Sequence, residues 1–442
     1  MFAVNLDEKL RQLKKASAPR DLNREMEQTL EFLRRMEKPP EPRPLPAQKA
    51  AKGIEEYVEG VLARNDLGEY FIARQAFPFG RPYGKLRIGD ISAADLSPLN
   101  LLFPLASVPA PDRLIYLDTE TTGLAGGTGT CAFLIGVGMV EGTQFVVRQY
   151  FLRDYPDEKA VLHSLAEVLS GFEGLVTYNG KTFDVPLLET RYALARLKSP
   201  FTRLMHLDAL HPARRLWRLR LETCRLTDLE SAVLGIEREG DVPGSEIPGI
   251  YFDYLRTGDA RGLQPVFFHN ALDIMTLAAV TVELARAIGD GGASSLDSPL
   301  DLFSLSRMFE SAGSREQSVE TCQRALNGGL PEEVEARALL QLALQYKRQR
   351  RQESAVETWK ELARRPSPLA LEALEELAIH YEHRQRDLRS ALNFTQSALE
   401  LLRERPSPPD AARFTHRLER LQRKLAHAEG TIDLPMASPG LP

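Results

Sequence analysis

The stretch Arg113–Val140, "RLIYLDTETTGLAGGTGTCAFLIGVGMV", decides how the rest of the chain is read. An apolar strand runs into Asp118 and Glu120, carboxylates on alternate residues, so both project from one side of a strand end. A loop of glycine and threonine follows, and then a second apolar strand from Ala132. Two like charges this close repel each other and push one pKa upward unless a counter-charge joins them. A hard divalent cation, Mg²⁺ or Mn²⁺, removes that cost and suits oxygen ligands. The pair therefore directs attention to further carboxylates that the fold could bring alongside.

Two motifs in the same stretch fail on context. "GTGTCA", Gly127–Ala132, fits a dinucleotide fingerprint, which requires a helix after it, whereas "AFLIGVGMV" is strand-like. The same loop contains no G-K-[ST] either, so it is not a phosphate-binding P-loop. The glycines instead let a strand-to-strand turn pass close to its surroundings.

Working outward, the turn "EGTQ" leads to a third strand, "FVVRQYFL", and these short connections describe an antiparallel meander. "DEKAVLHSLAEVLSGF" has the helical period at 161, 162, 165, 168 and 169, closed by Gly171. The strand "GLVTYNG" and the helix "DVPLLETRYALARL" follow. Three antiparallel strands, a helix, a strand and a helix give an α/β domain with a mixed sheet flanked by helices, the arrangement of an RNase H-like domain. Asn179 ends the fourth strand and Asp184 opens the next helix, with Pro186 in its first turn. Further on, "VFFHNALDIMTLAAV" places His269 and Asp273 i, i+4 on one face of an otherwise apolar helix.

The set Asp118-Thr119-Glu120, Asn179 to Phe183-Asp184, and His269 to Asp273 resembles the three motifs of the DEDD (DnaQ-like) 3′–5′ exonucleases, over roughly residues 112 to 285. The stretch "DVPGSEIPGIYFDYLRTGD" is similar to the bacterial YprB-like branch of that RNase H-like group. The resemblance implies that Asp118, Glu120, Asp184 and Asp273 hold two Mg²⁺ or Mn²⁺ ions, with His269 as general base. It implies substrate contacts by Thr119, Thr122, Asn179 and Phe183, and single-stranded or frayed DNA or RNA as substrate. One departure stands out. Histidine-type members carry histidine five residues before the last aspartate and tyrosine-type members carry tyrosine four before it, whereas His269 stands four before Asp273.

At 442 residues the chain is long enough for two or three domains. Residues 1–65 are charged and broken by "KPPEPRPLP", a flexible arm. Residues 66–110 form a small β-rich accessory segment, and 111–290 the exonuclease-like domain. Residues 298–405 repeat with a period near that of tetratricopeptide repeats. Leu305–Phe309, Leu342–Tyr346 and Leu377–Tyr381 correspond, as do Ser318, Ala355 and Ala391. These segments resemble that family and suggest a helical solenoid that recruits a protein partner. Residues 406–442 carry a helical extension and a disordered tail.

A net charge of −5 excludes a globally basic nucleic-acid binder, so any such contact needs a local patch. "ARRLWRLRLETCRL" offers one, with Arg214 and Arg215 for phosphates and Trp217 for stacking on a base, although Leu216, Leu219 and Trp217 equally describe an apolar helix face under solvated arginines. Cys131, Cys224 and Cys322 sit far apart in no CxxC pair, which speaks against a disulfide framework and for a reducing compartment. No apolar run is long enough to span a membrane, and no signal-peptide pattern opens the chain, so the cytoplasm is expected. Two other readings share these residues: a nucleic-acid-binding interaction protein that does not cleave, and a structure-selective endonuclease.

Overall fold

The computed structural model describes residues 53–103, 107–123 and 129–428. Most of the charged arm, five residues of the glycine-rich loop, and the tail "GTIDLPMASPGLP" lie outside the described residues.

A seven-stranded mixed sheet forms the centre of the first part of the chain. Its first hairpin pairs β1 (Gly60–Asn65) with β2 (Gly68–Pro78), and a two-stranded ribbon, β3 (Pro82–Tyr83) and β4 (Leu86–Arg87), follows with the short helix α1 (Ile88–Ala93). The meander is β5 (Leu114–Thr121), β6 (Ala132–Glu141) and β7 (Gln144–Phe151). Helix α2 (Glu158–Leu169), strand β8 (Gly174–Thr177), helix α3 (Asp184–Leu194), strand β9 (Met205–Asp208) and helix α4 (Leu210–Trp217) complete the alternation. The strand order is β1-β2-β7-β6-β5-β8-β9. β8 runs parallel to β5 and β9, while β5, β6, β7, β2 and β1 pair antiparallel.

The hairpin β1–β2 thus lengthens the sheet beyond β7 rather than packing beside it as a separate element. β1 also starts within the segment that composition assigns to the arm. Its alternation is masked because Val61 and Leu62 face solvent on an edge strand.

Alternation along β5 separates two cores. Leu114 and Tyr116 pack in one cluster with Ala271, Ile274 and Ala278 of α7 (Leu263–Gly289), the longest helix among the described residues. Ile115 and Leu117 pack in the other, with Leu165 of α2 and Leu188 and Tyr192 of α3. Between α4 and α7 come α5 (Leu226–Leu229), a π turn at Glu230–Leu234 that ends on Gly235 with φ +70°, and α6 (Ile247–Thr257).

The close approach of α7 depends on β6. A Cβ at Gly136 would stand 2.1 Å from Asn270 Oδ1 and 2.3 Å from Ile274 Cδ1. At Gly138 it would stand 2.4 Å from Ile274 Cγ2. The Gly-x-Gly of "LIGVGMV" faces the helix and lets it settle onto the sheet.

The remainder is helical: α8 (Pro299–Ser311), α9 (Arg315–Asn327), α10 (Glu332–Arg348), α11 (Gln352–Ala363), α12 (Ala370–His380), α13 (Leu388–Glu404) and α14 (Pro408–Ala428). Ser318, Ala355 and Ala391 are buried, as are Leu305, Phe309, Leu342, Tyr346 and Leu377. Helix α8 is apolar on two faces. Leu305, Met308 and Phe309 belong to the sheet-side core with Leu216 and Trp217, whereas Leu302 and Phe303 pack with Val319, Leu339 and Trp359. Arg220 Nε donates to buried Asp301 at 2.7 Å across the same junction. Among the described residues, no helix is long and apolar enough to cross a membrane.

Candidate active site

Asp118 and Glu120 lie on the α7 side of β5, because they continue the alternation of Leu114 and Tyr116. A register shift between β5 and β6 at Glu120/Thr121 ends the regular ladder there, a feature common beside functional sites. Thr119 points to the opposite side, and its hydroxyl donates to Asp184 Oδ1 at the start of α3. A strand end and a helix start are thereby tied together.

The loop that carries Asp184 is held from beneath by Asp208, which is 2% exposed at the end of β9. Its Oδ1 accepts from the backbone N–H of Asn179 at 2.8 Å and its Oδ2 from that of Lys181 at 3.0 Å. Asn179 has φ +69°, a left-handed turn residue that lets the chain reverse from β8 into α3. Neither Asp208 nor its strand was legible in advance, since "MHLD" carries no clear alternation and an aspartate at a strand end reads as exposed.

Asn270, fully buried on α7, donates to Asp118 Oδ2 at 2.9 Å and accepts from Gln149 Nε2 at 3.0 Å. Gln149 Nε2 also donates to the Phe267 carbonyl at 2.7 Å. Gly136 is the register partner of both Asp118 and Gln149, so the space it leaves is where the Asn270 amide sits. The adjacent pair His269-Asn270 was the available signal for this residue.

On the other side of α7 a charged network closes around Arg238, whose side chain is 6% exposed. It donates to Glu230 through Nε and Nη2, to Asp241 Oδ2 through Nη1 at 2.8 Å, and to Asp273 Oδ1 through Nη2. Glu230, on the π turn, also accepts from Thr276. His269 Nδ1 stands 2.8 Å from Asp241 Oδ1, and its Nε2 lies 3.5 Å from Asp273 Oδ2. Arg238, Asp241 and Glu230 are absent from any sequence-level expectation. Arg238 and Asp241 lie in "GIEREGDVPG" and Glu230 on the π turn before it, and tertiary packing shields their side chains.

The electrostatics follow from these contacts. Loss of hydration pushes Asp118 well above the usual carboxylate range, and the charges of Asp273, Glu120 and Asp184 add to the shift. Burial likewise raises Glu120 to about 7, with His269 opposing it and Asp273 and Asp184 reinforcing it. Asp184 rises to about 6 through burial, against its hydrogen bond from Thr119. Burial also acts to raise Asp241, but hydrogen bonds from Arg238 and His269 outweigh it and hold that carboxyl below its ordinary value.

The four expected carboxylates are thus in electrostatic contact with one another, and His269 with them. As the side chains stand, no three His, Cys, Asp or Glu among the described residues are grouped so that they could hold one ion. Asp118, Glu120 and Asp184 nonetheless fit a divalent cation by chemistry. All are oxygen donors, and among the described residues no arginine or lysine forms an ion pair with any of the three, His269 alone opposing the rise of Glu120. Asp273 differs, since Arg238 already meets its charge.

Of the expected substrate contacts, Phe183 is 56% exposed beside Asp184; Phe268, which was not among them, is 48% exposed next to His269. Thr122 is occupied locally, its hydroxyl accepting from the Cys131 N–H at 3.0 Å. Arg214 and Arg215 are exposed on α4. Trp217 offers no ring to a base: it is 1% exposed and packed with Leu216 in the core. Residues 213 and 216–217 form the apolar face of α4 that meets α8, and that face claims the tryptophan.

This fold and site define an RNase H superfamily domain: the family profile matches residues 115–285. Members of that superfamily are generally nucleases, and the fold implies nucleic-acid binding. Beyond the domain, the chain is 32% identical over 291 residues to the uncharacterized protein YprB of Bacillus subtilis (strain 168), covering 65% of this chain and 69% of that protein. The chain belongs to the same family as that relative, within the RNase H superfamily.

Proposed function

We propose that the protein is a metal-dependent 3′–5′ exonuclease acting on single-stranded or frayed DNA or RNA. The observation that carries this reading is the convergence of Asp118, Glu120 and Asp184 from a strand end and a helix start, where burial raises all three carboxyls and the charge of Asp184 adds to the shifts of Asp118 and Glu120. Such a cluster costs folding free energy and is repaid by a bound cation. Asp118, Glu120 and Asp184 would hold Mg²⁺ or Mn²⁺. Asp273 would complete a two-ion set by exchanging its Arg238 partner. Bound divalent ions supply Lewis acidity toward the attacking water and the departing 3′ oxygen. His269 accepts a proton at Nε2, the ring nitrogen that faces Asp273. Phe183 presents an exposed ring on which a terminal base stacks. Thr119 keeps Asp184 in place, and Asn179 shapes the turn leading to it.

The helical region after residue 298 is read as a tetratricopeptide-like solenoid that recruits a protein partner. The burial of Ser318, Ala355 and Ala391 at corresponding positions of successive helix pairs supports it.

A second reading, a module that binds nucleic acid without cleaving it, is favoured by the contact of Arg238 with Asp273. One experiment separates the two. A 5′-labelled single-stranded DNA and its RNA counterpart are incubated with the protein in Mn²⁺ or in EDTA, beside Asp118→Asn, which keeps an oxygen for the Asn270 amide. The expected result is a Mn²⁺-dependent ladder shortening from the 3′ end, reduced at least ~10²-fold in the variant. An intact strand that shifts on a gel supports the binding module, and discrete internal cuts support an endonuclease.

A further inference from the structure

We propose that Asp241 is the positioning residue for His269, fixing the imidazole so that Nδ1 carries a proton and Nε2 faces the carboxylate cluster. The inference rests on the nuclease reading for its functional consequence but on geometry for its substance. His269 Nδ1 lies 2.8 Å from Asp241 Oδ1 and 2.9 Å from Oδ2, a charge-assisted hydrogen bond at normal length. The competing contact, Arg238 Nη1 to the same nitrogen, is 3.5 Å and too long to be a strong bond. A guanidinium only donates, so it would require a bare Nδ1, whereas a carboxylate requires a protonated one. The shorter contact decides between them. Nε2 then points toward Asp273 Oδ2 at 3.5 Å, on the side where Asp118 and Glu120 lie.

Asp241 is itself held. Arg238 donates to its Oδ2 at 2.8 Å and is anchored in turn by two bonds to Glu230. The side chains involved are all at most 16% exposed, so water competes little for these bonds. A second carboxylate that sets the ring orientation explains how a histidine four residues before Asp273, rather than five, presents the correct nitrogen. One more helical residue rotates a side chain by ~100°, and the partner on the 236–246 loop compensates by choosing which ring edge faces inward.

The test is a ring-nitrogen measurement on the full chain with ¹⁵N-labelled histidine, His269 being assigned by its loss in His269→Gln. In the wild-type protein Nδ1 is expected to show the shift of a protonated nitrogen, with a proton correlated to it. A bare Nδ1 overturns the proposal without reference to any variant. In Asp241→Ala the Nδ1–H population should fall, kcat on a short single strand should drop on the order of 10²-fold, and KM should change less than threefold. Asp241→Asn, which retains one acceptor oxygen, should recover both the proton on Nδ1 and most of kcat. An unchanged Nδ1 signal in Asp241→Ala overturns the proposal as well. If the wild-type protein hydrolyses nothing yet the nitrogen signals behave as expected, the exonuclease reading fails and the positioning contact stands.

Discussion

At the scale of single residues, the site stores its tension in Glu120. Its carboxyl is raised to about 7 from an ordinary value near 4.5, burial being the largest cause. A raised carboxylate binds its proton more tightly in the folded chain than in the unfolded one. Its ionisation therefore costs no stability below pH ~4.5, costs progressively more as the pH rises toward 7, and is constant above that. In EDTA, the melting temperature of the wild-type protein should fall between pH 5 and 7.5 by more than that of Glu120→Gln. The variant should melt higher than wild type at pH 7.5, and the two should converge near pH 4.5. Adding Mn²⁺ should raise the wild-type value and leave the variant less affected. Parallel curves for the two proteins would show that Glu120 is solvated and uncoupled. Asp241 has the opposite sign. Its depressed carboxyl stabilises the fold above its unfolded pKa and loses that contribution as acid protonates it.

At the scale of elements, the strand–helix contact between β6 and α7 places the site. Gly136 faces Asn270 and Ile274 with no room for a methyl group, and Asn270 is the residue that holds Asp118. Gly136→Ala should push α7 outward, cost about 1–3 kcal/mol of stability, and reduce hydrolysis by more than the lost folded fraction accounts for. Gly249→Ala, on α6 with open space around its Cβ position, is the control and should leave both unchanged. Equal effects of the two would mean that the contact is not what positions the carboxylates.

The same scale shows how much was legible in the residues. The meander, α2, β8, α3 and the carboxylate-bearing ends of β5 and α3 follow from apolar periodicity and turn chemistry, which are local. β9 and the 236–246 loop do not. Four residues of strand carry too little pattern, and the Arg238 and Asp241 side chains are shielded only by packing against α7 and the π turn, while Glu239 and Gly240 between them stay exposed. Trp217 was open to two readings, a stacking platform among arginines or part of an apolar helix face beneath them, and its burial favours the second. The opposite face of its helix meets α8, and no local pattern reports a partner 80 residues away.

At the scale of the whole molecule, the change from α/β to helical composition near residue 298 separates elements but not cores. Leu305, Met308 and Phe309 of α8 share a cluster with Leu216 and Trp217, and Leu302 and Phe303 of the same helix share one with Trp359. A chain ending at residue 297 therefore loses the cover over α4 and keeps the apolar surface beneath it. Burial of side chains of this size contributes about 1.5–3 kcal/mol each, so the loss is large on the scale of domain stability. The chain has two tryptophans, Trp217 and Trp359, and the cut removes the second. Emission of the truncated protein then reports Trp217 alone, and full-length Trp359→Phe is its reference. The expected outcome is red-shifted emission and a lower melting temperature for the truncated form, with increased binding of a hydrophobic dye. A chain that instead ends after Arg364 and carries Trp359→Phe, keeping α8 to α11, should match the reference in emission. If the 297 truncation retains the reference emission and melting temperature, α8 is a passive neighbour, and the RNase H superfamily domain can be assayed alone. If not, any activity lost on that truncation reflects the opened core. The role of the helical region must then be tested by substitutions on its exposed faces.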